Sequence, residues 1–165
     1  MLAIAMNSEY QYDIDIMKVI IHELGETIIG DLTQFQISES EKEKIEHEAV
    51  HKILEGLLDG NQIEQLFLEF DARKTKEAKF AYQCDKLEFD LQSKLYDEEG
   101  CVDLDNQEGN NVKDNAIVKK LLKNGASFST MCLKFGQEVY PYDDNFKDVS
   151  KYALNNSISK KGLNK

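Results

Sequence analysis

Apolar residues recur at intervals of three and four along most of this chain, which is the spacing of a helix that buries one face. The spacing predicts helices that cover residues 1–6, 13–28, 38–60, 61–70, 74–97, 114–124, 128–139 and 145–155. A polar segment rich in Asp, Asn and Gly interrupts them at 100–113. One Pro and nine Gly in 165 residues are few helix breakers, so the fold class is expected to be all-α.

The length of the chain suits a single helical domain. We expect a core at 1–100, further helices at 112–158 and a disordered tail at 159–165. Ser38 and Glu41 have the spacing of a capping box, in which each side chain satisfies a free backbone N–H group. That spacing places the start of the third helix at Ser38.

Charge narrows the possible partners. The chain has 31 Asp and Glu against 20 Lys and Arg, a net charge of −11, which disfavours nucleic-acid polymers as partners. A small phosphorylated ligand stays possible, because a bound cation can reverse the local charge. No apolar run reaches the length of a membrane span, so no membrane partner is expected. Three cysteines without metal-binding spacing indicate reduced thiols in a cytoplasmic protein.

The predicted second helix has a polar face with candidate chemistry. Its apolar side consists of Ile, Met and Leu residues, and His22, Glu23 and Glu26 fall together on the opposite side. An imidazole beside two carboxylates can bind a divalent cation and leave one carboxylate for acid–base work. The same pattern also fits a solvated polar face.

The predicted fifth helix places a carboxylate among apolar residues. Asp85 falls with Ala, Tyr and Phe89, and Glu88 and Gln92 continue that inward stripe. The polar side is expected to hold Lys79, Gln83, Lys86, Asp90 and Asp97. A buried carboxylate needs a cation, a metal or hydrogen-bond donors. Asp85 therefore predicts a partner, which is either a metal or a salt bridge.

The predicted third helix carries two further polar features. Glu46 lies at the centre of its apolar face, and an ion pair with a buried Lys or Arg is expected there. His47 and His51 belong to an HExxH sequence, which is the zinc-protease signature. They fall on the charged side of the helix, however, and the interpretation favoured for them is solvated surface histidines.

These residues form a pattern that resembles a known family. Residues 22–26 and 30–31 resemble the H-D-x-x-E-x-x-x-G-D motif of HD-domain nucleotidases, with HE in place of HD. The segment EKEKIEHEAVHKIL resembles the helix that follows it, and residues 76–86 resemble the E-A-K-F-x-x-x-x-D segment. The matches fall in order over residues 13–97. The chain thus resembles the HD-domain superfamily of metal-dependent phosphohydrolases, in its 5′-deoxynucleotidase-like branch.

The resemblance implies an HD-domain-like helical bundle around one divalent metal, which would be Mn, Co, Fe, Ni or Zn. His22, Glu23 and Asp85 would be metal ligands. Glu26 would be the general acid or base, and Asp31 would lie near the sugar. The implied reaction removes the 5′-phosphate from a deoxynucleoside monophosphate or a similar small phosphate ester. The resemblance also implies a homodimer.

Two departures from the family pattern leave an alternative open. Glu23 stands where the family has Asp, and its longer side chain moves the carboxylate. The family's first His ligand and an Arg near the phosphate would precede Met1, which indicates a late start, a cut chain or a reduced family member. The alternative is a non-catalytic remnant of the HD fold that binds a nucleotide or a protein partner.

Overall fold

A computed structural model describes residues 1–19, 24–30, 32, 37–104 and 115–159. Every regular element in those ranges is helical, which confirms the all-α class. The helices are α1 (Leu2–Tyr10), α2 (Glu26–Ile29), α3 (Glu39–Leu54), α4 (Gly60–Ala72), α5 (Lys76–Glu99), α6 (Ala116–Lys123), α7 (Phe128–Val139) and α8 (Asp144–Asn155), with a 3-10 turn at Ile16–Lys18. Within the described ranges, no helix is both long enough and apolar enough to span a bilayer.

The continuous helix predicted over 13–28 is wrong. The Asn7 side chain accepts a hydrogen bond from Ile14 N at 3.0 Å and donates one to Ile14 O at 3.1 Å, so both backbone groups of Ile14 are taken by a side chain. Asp13 has a φ of 55°, which a right-handed helix does not allow. The described part of this segment therefore holds only the 3-10 turn, a turn at Leu24 and the short helix α2.

Helix α3 begins where predicted and ends earlier. Glu41 N donates to Ser38 Oγ at 3.4 Å, which confirms the Ser38 half of the capping box, and the Ser38 hydroxyl donates to the Glu41 carboxylate. The helix ends at Leu54 rather than at Gly60. The chain reverses through Gly56, whose φ is 77°, and Gly60 then starts α4. A Cβ atom on Gly60 would lie 2.3 Å from Leu54 O, so this tight connection requires glycine.

The chain groups into two compact units, Met1–Tyr82 and Gln83–Lys165. In the first unit, α3 packs on α2 and α4, and Val50, Leu54 and Phe67 form a buried cluster. In the second unit, α7 packs on α6 and α8, and a cluster forms around Val118 and Met131. Burial of each such side chain stabilises the fold by about 1.5–3 kcal/mol.

The predicted faces of α5 are wrong for two residues that were placed in solvent. Gln83 and Asp90 are 8% and 1% exposed, because they lie four residues before and three residues after the fully buried Leu87. Their polar atoms have partners: Asp143 N donates to Gln83 Oε1 at 2.6 Å, and the Tyr142 hydroxyl donates to Asp90 Oδ2 at 3.0 Å.

The inward stripe predicted for α5 is also wrong in part. Glu88 and Phe89 are exposed, and Asp85 is only partly buried. The stripe that packs into the second unit passes through Leu87 and Asp90 instead. A polar residue that has hydrogen-bond partners can occupy a core position, and the hydrophobic pattern does not reveal it.

The last helix is followed by an anchored segment. The Glu98 carboxylate accepts hydrogen bonds from Ile158 N and Ser159 N at 3.0 and 2.8 Å, and from the Ser157 hydroxyl at 3.0 Å. Ser159, where the predicted tail begins, is 2% exposed. The remainder of that tail lies outside the described residues. Cys84, Cys101 and Cys132 are free thiols.

Candidate functional site

Of the five predicted site residues, Glu26 and Asp85 lie in the described ranges, and His22, Glu23 and Asp31 lie outside them. Glu26 belongs to the first compact unit, and Asp85 belongs to the second.

Glu26 is the first residue of α2 and contacts α3 through an ion pair. Lys42 Nζ donates to Glu26 Oε1 at 2.8 Å, and the same ammonium lies 3.5 Å from Glu46 Oε1. The side chains of Glu26, Lys42 and Glu46 are 25%, 24% and 12% exposed. Because the three groups are partly withdrawn from water, their attraction is screened less than that of a surface pair.

Glycine permits the close approach that brings Glu26 to Lys42. A Cβ atom on Gly25 would lie 3.0 Å from Glu46 Cβ and 3.1 Å from its Cγ. The turn before α2 therefore rests directly on α3 at Glu46. Glu46 was expected to pair with a buried Lys or Arg; its partner is Lys42, whose side chain is only partly buried.

The pKa values of this cluster reflect burial and charge. Burial raises the pKa of Glu46, and the nearby Asp71 raises it further, while Lys42 opposes the shift. Burial lowers the pKa of Lys42, but Glu26 and Glu46 together more than offset that effect, so its pKa is raised. Lys42 therefore stays protonated in neutral solution. Two carboxylates share its one positive charge, so the cluster has an excess of negative charge.

Asp85 is paired with its chain neighbour. Lys86 Nζ lies 2.8 Å from Asp85 Oδ2, and the Asp85 side chain is 29% exposed. The partner predicted for Asp85 is thus present as a salt bridge. This pair is partly solvated, so the carboxylate remains accessible to small cations.

The HExxH histidines bind carboxylates of α4. His47 Nε2 lies 2.6 Å from Asp71 Oδ2, and His51 Nδ1 lies 3.1 Å from Glu64 Oε1. Each histidine has a different partner, and no group of three His, Cys, Asp or Glu side chains that could hold a metal occurs among the residues described. His51 is exposed as predicted, whereas His47 is half-buried and packs edge-on against the Phe67 ring.

The sequence interpretation left Lys42, Asp71 and Glu64 without roles. Lys42 could have been found, because it precedes Glu46 by one helical turn and is therefore its natural ion-pair partner. Asp71 and Glu64 lie on α4, far from their histidine partners in sequence, and no local signal predicts those pairings.

The comparison with protein families identifies the chain. The profile of the HD domain family matches residues 1–124, which is most of the sequence. The chain therefore belongs to the HD domain family, as its motif order indicated.

Curated relatives match a smaller part of the chain. It is 35% identical over 85 residues to the 5′-deoxynucleotidase hdd1 of Schizosaccharomyces pombe, and the aligned region covers 47% of this chain and 43% of that protein. It is 35% identical over 94 residues to the 5′-deoxynucleotidase HDDC2 of Dictyostelium discoideum, and the aligned region covers 53% of this chain and 50% of the relative. The mouse HDDC2 is 31% identical over 93 residues, with coverage of 54% and 44%. The chain thus spans about half the length of these relatives, and no solved structure matches it.

Proposed function

We propose that this protein is a metal-dependent phosphohydrolase that removes the 5′-phosphate from (deoxy)nucleoside 5′-monophosphates or similar small phosphate esters. The observation that carries the proposal is the partly buried Glu26 carboxylate, which is paired with Lys42 and follows Glu23 of the motif by three residues. The HD domain match and the deoxynucleotidase relatives support the same chemistry.

In this proposal His22, Glu23 and Asp85 hold one divalent cation, and Asp31 contacts the sugar. The cation, when bound, polarises the phosphoryl group and makes water a better nucleophile. Water attacks phosphorus and the bond from phosphorus to the leaving oxygen breaks. Glu26 either accepts the proton that the water loses or supplies the proton that the leaving oxygen needs.

The proposed donor set suits a divalent cation. One imidazole and two carboxylates bind Mn, Fe, Co, Ni or Zn, so the set does not select one metal. Asp85 is partly exposed, so a cation can reach it, although it would have to compete with the Lys86 ammonium 2.8 Å away. Glu26 and Glu46 share the single positive charge of Lys42, and this excess of negative charge favours cations over anions near them.

The test is a phosphate-release screen over deoxy- and ribonucleoside monophosphates with Mn²⁺ or Co²⁺. We expect turnover that stops when a chelator is added. Asp85→Asn should lose it, whereas Asp148→Asn should not, because Asp148 is a largely exposed residue of α8. An Asp85→Asn variant with wild-type turnover would refute the ligand assignment.

A second variant separates a catalytic protein from a binding protein. Glu23→Asp restores the family's His-Asp pair and shortens the side chain at that position. If the chain is an enzyme whose Glu23 reaches the metal imperfectly, this variant should turn over faster than wild type. Nucleotide binding without turnover in both forms would identify a non-catalytic member of the family.

We further propose a cytoplasmic homodimer, as the family resemblance implies. Sedimentation equilibrium measures the mass in solution, for which a value near twice 18.9 kDa is expected. Fractionation of cells that express the tagged protein measures its compartment.

A further inference from the structure

The Lys42 ammonium joins two carboxylates that come from different helices. It lies 2.8 Å from Glu26 Oε1 on α2 and 3.5 Å from Glu46 Oε1 on α3. Glu46 follows Lys42 by four residues, so the geometry of α3 itself brings those two side chains together. The contact with Glu26, by contrast, fixes one helix relative to another.

We propose that Lys42 is a positioning residue, which holds the Glu26 carboxylate where proton transfer takes place, and that Glu46 orients Lys42 for this task. The inference rests on the proposed role of Glu26 in phosphate-ester hydrolysis. It assigns no substrate contact to Lys42 or Glu46.

Packing around the ion pair limits how far Glu26 can move. Gly25 lies against Glu46, with its Cβ position only 3.0 Å from Glu46 Cβ, so the start of α2 cannot slide along α3 without a clash. The Thr27 hydroxyl also donates to Leu24 O at 2.7 Å, which closes the turn that contains Gly25. Backbone packing thus sets the position of Glu26, and Lys42 sets the direction of its side chain.

The charges that surround Lys42 keep it in its cationic form. Although burial lowers the pKa of Lys42, the hydrogen bond to Glu26 and the charges of Glu46 and Glu26 raise it above its ordinary value. Asp71 of α4 also faces Glu46, but it is engaged by His47 at 2.6 Å. A protonated Lys42 can therefore serve both carboxylates through the neutral pH range.

Kinetics of the 165-residue chain test the inference. Lys42→Met should lower kcat about tenfold to a hundredfold and change KM by less than about threefold, because loss of positioning removes part of the 10²–10⁴ that a general acid or base contributes. Lys42→Arg should keep most of the activity.

Two further variants sharpen this test. Lys44→Met is the matched control, because Lys44 is an exposed lysine of the same helix, and its kinetics should equal those of wild type. Glu46→Gln should lower kcat less than Lys42→Met does and add little to it in the double variant, since both act through one contact. Equal kcat for Lys42→Met and Lys44→Met would overturn the inference.

A second measurement does not depend on turnover. In protein with ¹³C-labelled lysine, NMR follows the titration of Lys42. Its midpoint should fall in Glu26→Gln and stay at the wild-type value in Glu48→Gln, which changes an exposed glutamate of α3. An unchanged midpoint in Glu26→Gln would overturn the positioning role alone. A wild-type chain that releases no phosphate would instead overturn the proposed function, and with it the catalytic consequence of this ion pair.

Discussion

The buried carboxyl group of Asp90 makes the stability of the second unit depend on pH. Burial raises the pKa of Asp90 from 3.8 to about 7, while the Tyr142 hydrogen bond and the charge of Lys86 oppose that shift. In the unfolded chain the group ionises near its ordinary value. Between pH 4 and pH 7 the folded state therefore keeps a proton that the unfolded state has lost.

The sign of the effect follows from this difference in bound protons. Below about pH 4 both states are protonated, and the contribution of Asp90 is fully present. It is lost as the pH rises towards 7, at about 1.4 kcal/mol per pH unit, which amounts to about 4 kcal/mol over the whole range. Above pH 7 both states are ionised and no further change is expected.

The perturbation that isolates this effect is Asp90→Asn. The amide has nearly the same shape and its oxygen can still accept from Tyr142, but it does not titrate. Urea unfolding followed by circular dichroism from pH 4.5 to 8 gives the free energy of unfolding for each protein. As the pH rises, the free energy of unfolding of wild type should fall by several kcal/mol relative to that of Asp90→Asn.

A matched control is Asp148→Asn, which changes a largely exposed aspartate of α8. Its free energy of unfolding should follow that of wild type at every pH. If the profiles of wild type and Asp90→Asn run parallel, Asp90 does not keep its proton in the folded protein, and the reasoning from burial is refuted.

Three other stability predictions follow. Gly136→Ala should destabilise the fold by about 1–3 kcal/mol, because the new Cβ would lie 2.1 Å from Asp90 Oδ2. An unfolding curve equal to that of wild type would contradict this close approach of Gly136 to Asp90. Glu98→Gln should cost about 1–2 kcal/mol at neutral pH and speed amide exchange at Ile158 and Ser159. Although burial raises the pKa of Glu98, those hydrogen bonds and Lys94 lower it to about 2. The stabilisation by Glu98 is therefore present above pH 4.5 and disappears as the pH falls towards 2. Equal exchange rates in both proteins would contradict the role of Glu98 as the anchor of this segment. Phe67→Ala should cost about 3–5 kcal/mol, whereas Phe89→Ala, at an exposed site, should change stability by less than about 0.5 kcal/mol, and similar losses for both would contradict the assigned core.

Local signals predicted the helices that local interactions stabilise. The bounds of α7 agree with the prediction at both ends, because Ser127 caps its first turn and its apolar spacing is regular. The start of α3 was found for the same reason. In contrast, the Asn7 side chain binds the backbone of Ile14 at the start of the predicted second helix, and the hydrophobic pattern around residue 14 gives no sign of that contact.

Polar residues were harder to place than apolar ones. Asp90 was assigned to solvent because of its charge, yet its spacing from Leu87 puts it in the core with Tyr142 as its donor. The ion pair between Lys42 and Glu46 could have been predicted from the sequence, because one helix carries both residues. The contact between Lys42 and Glu26 could not, since it depends on how closely Gly25 approaches α3. The ligand roles of His22, Glu23 and Asp85 remain predictions from the motif.

Manganese binding by electron paramagnetic resonance tests that ligand set most directly. The account predicts one Mn²⁺ per wild-type chain, and clearly weaker binding in both His22→Ala and Asp85→Asn, with wild-type binding retained in Asp148→Asn. Wild-type Mn²⁺ affinity in either ligand variant, or no binding to the wild-type chain at all, would contradict it.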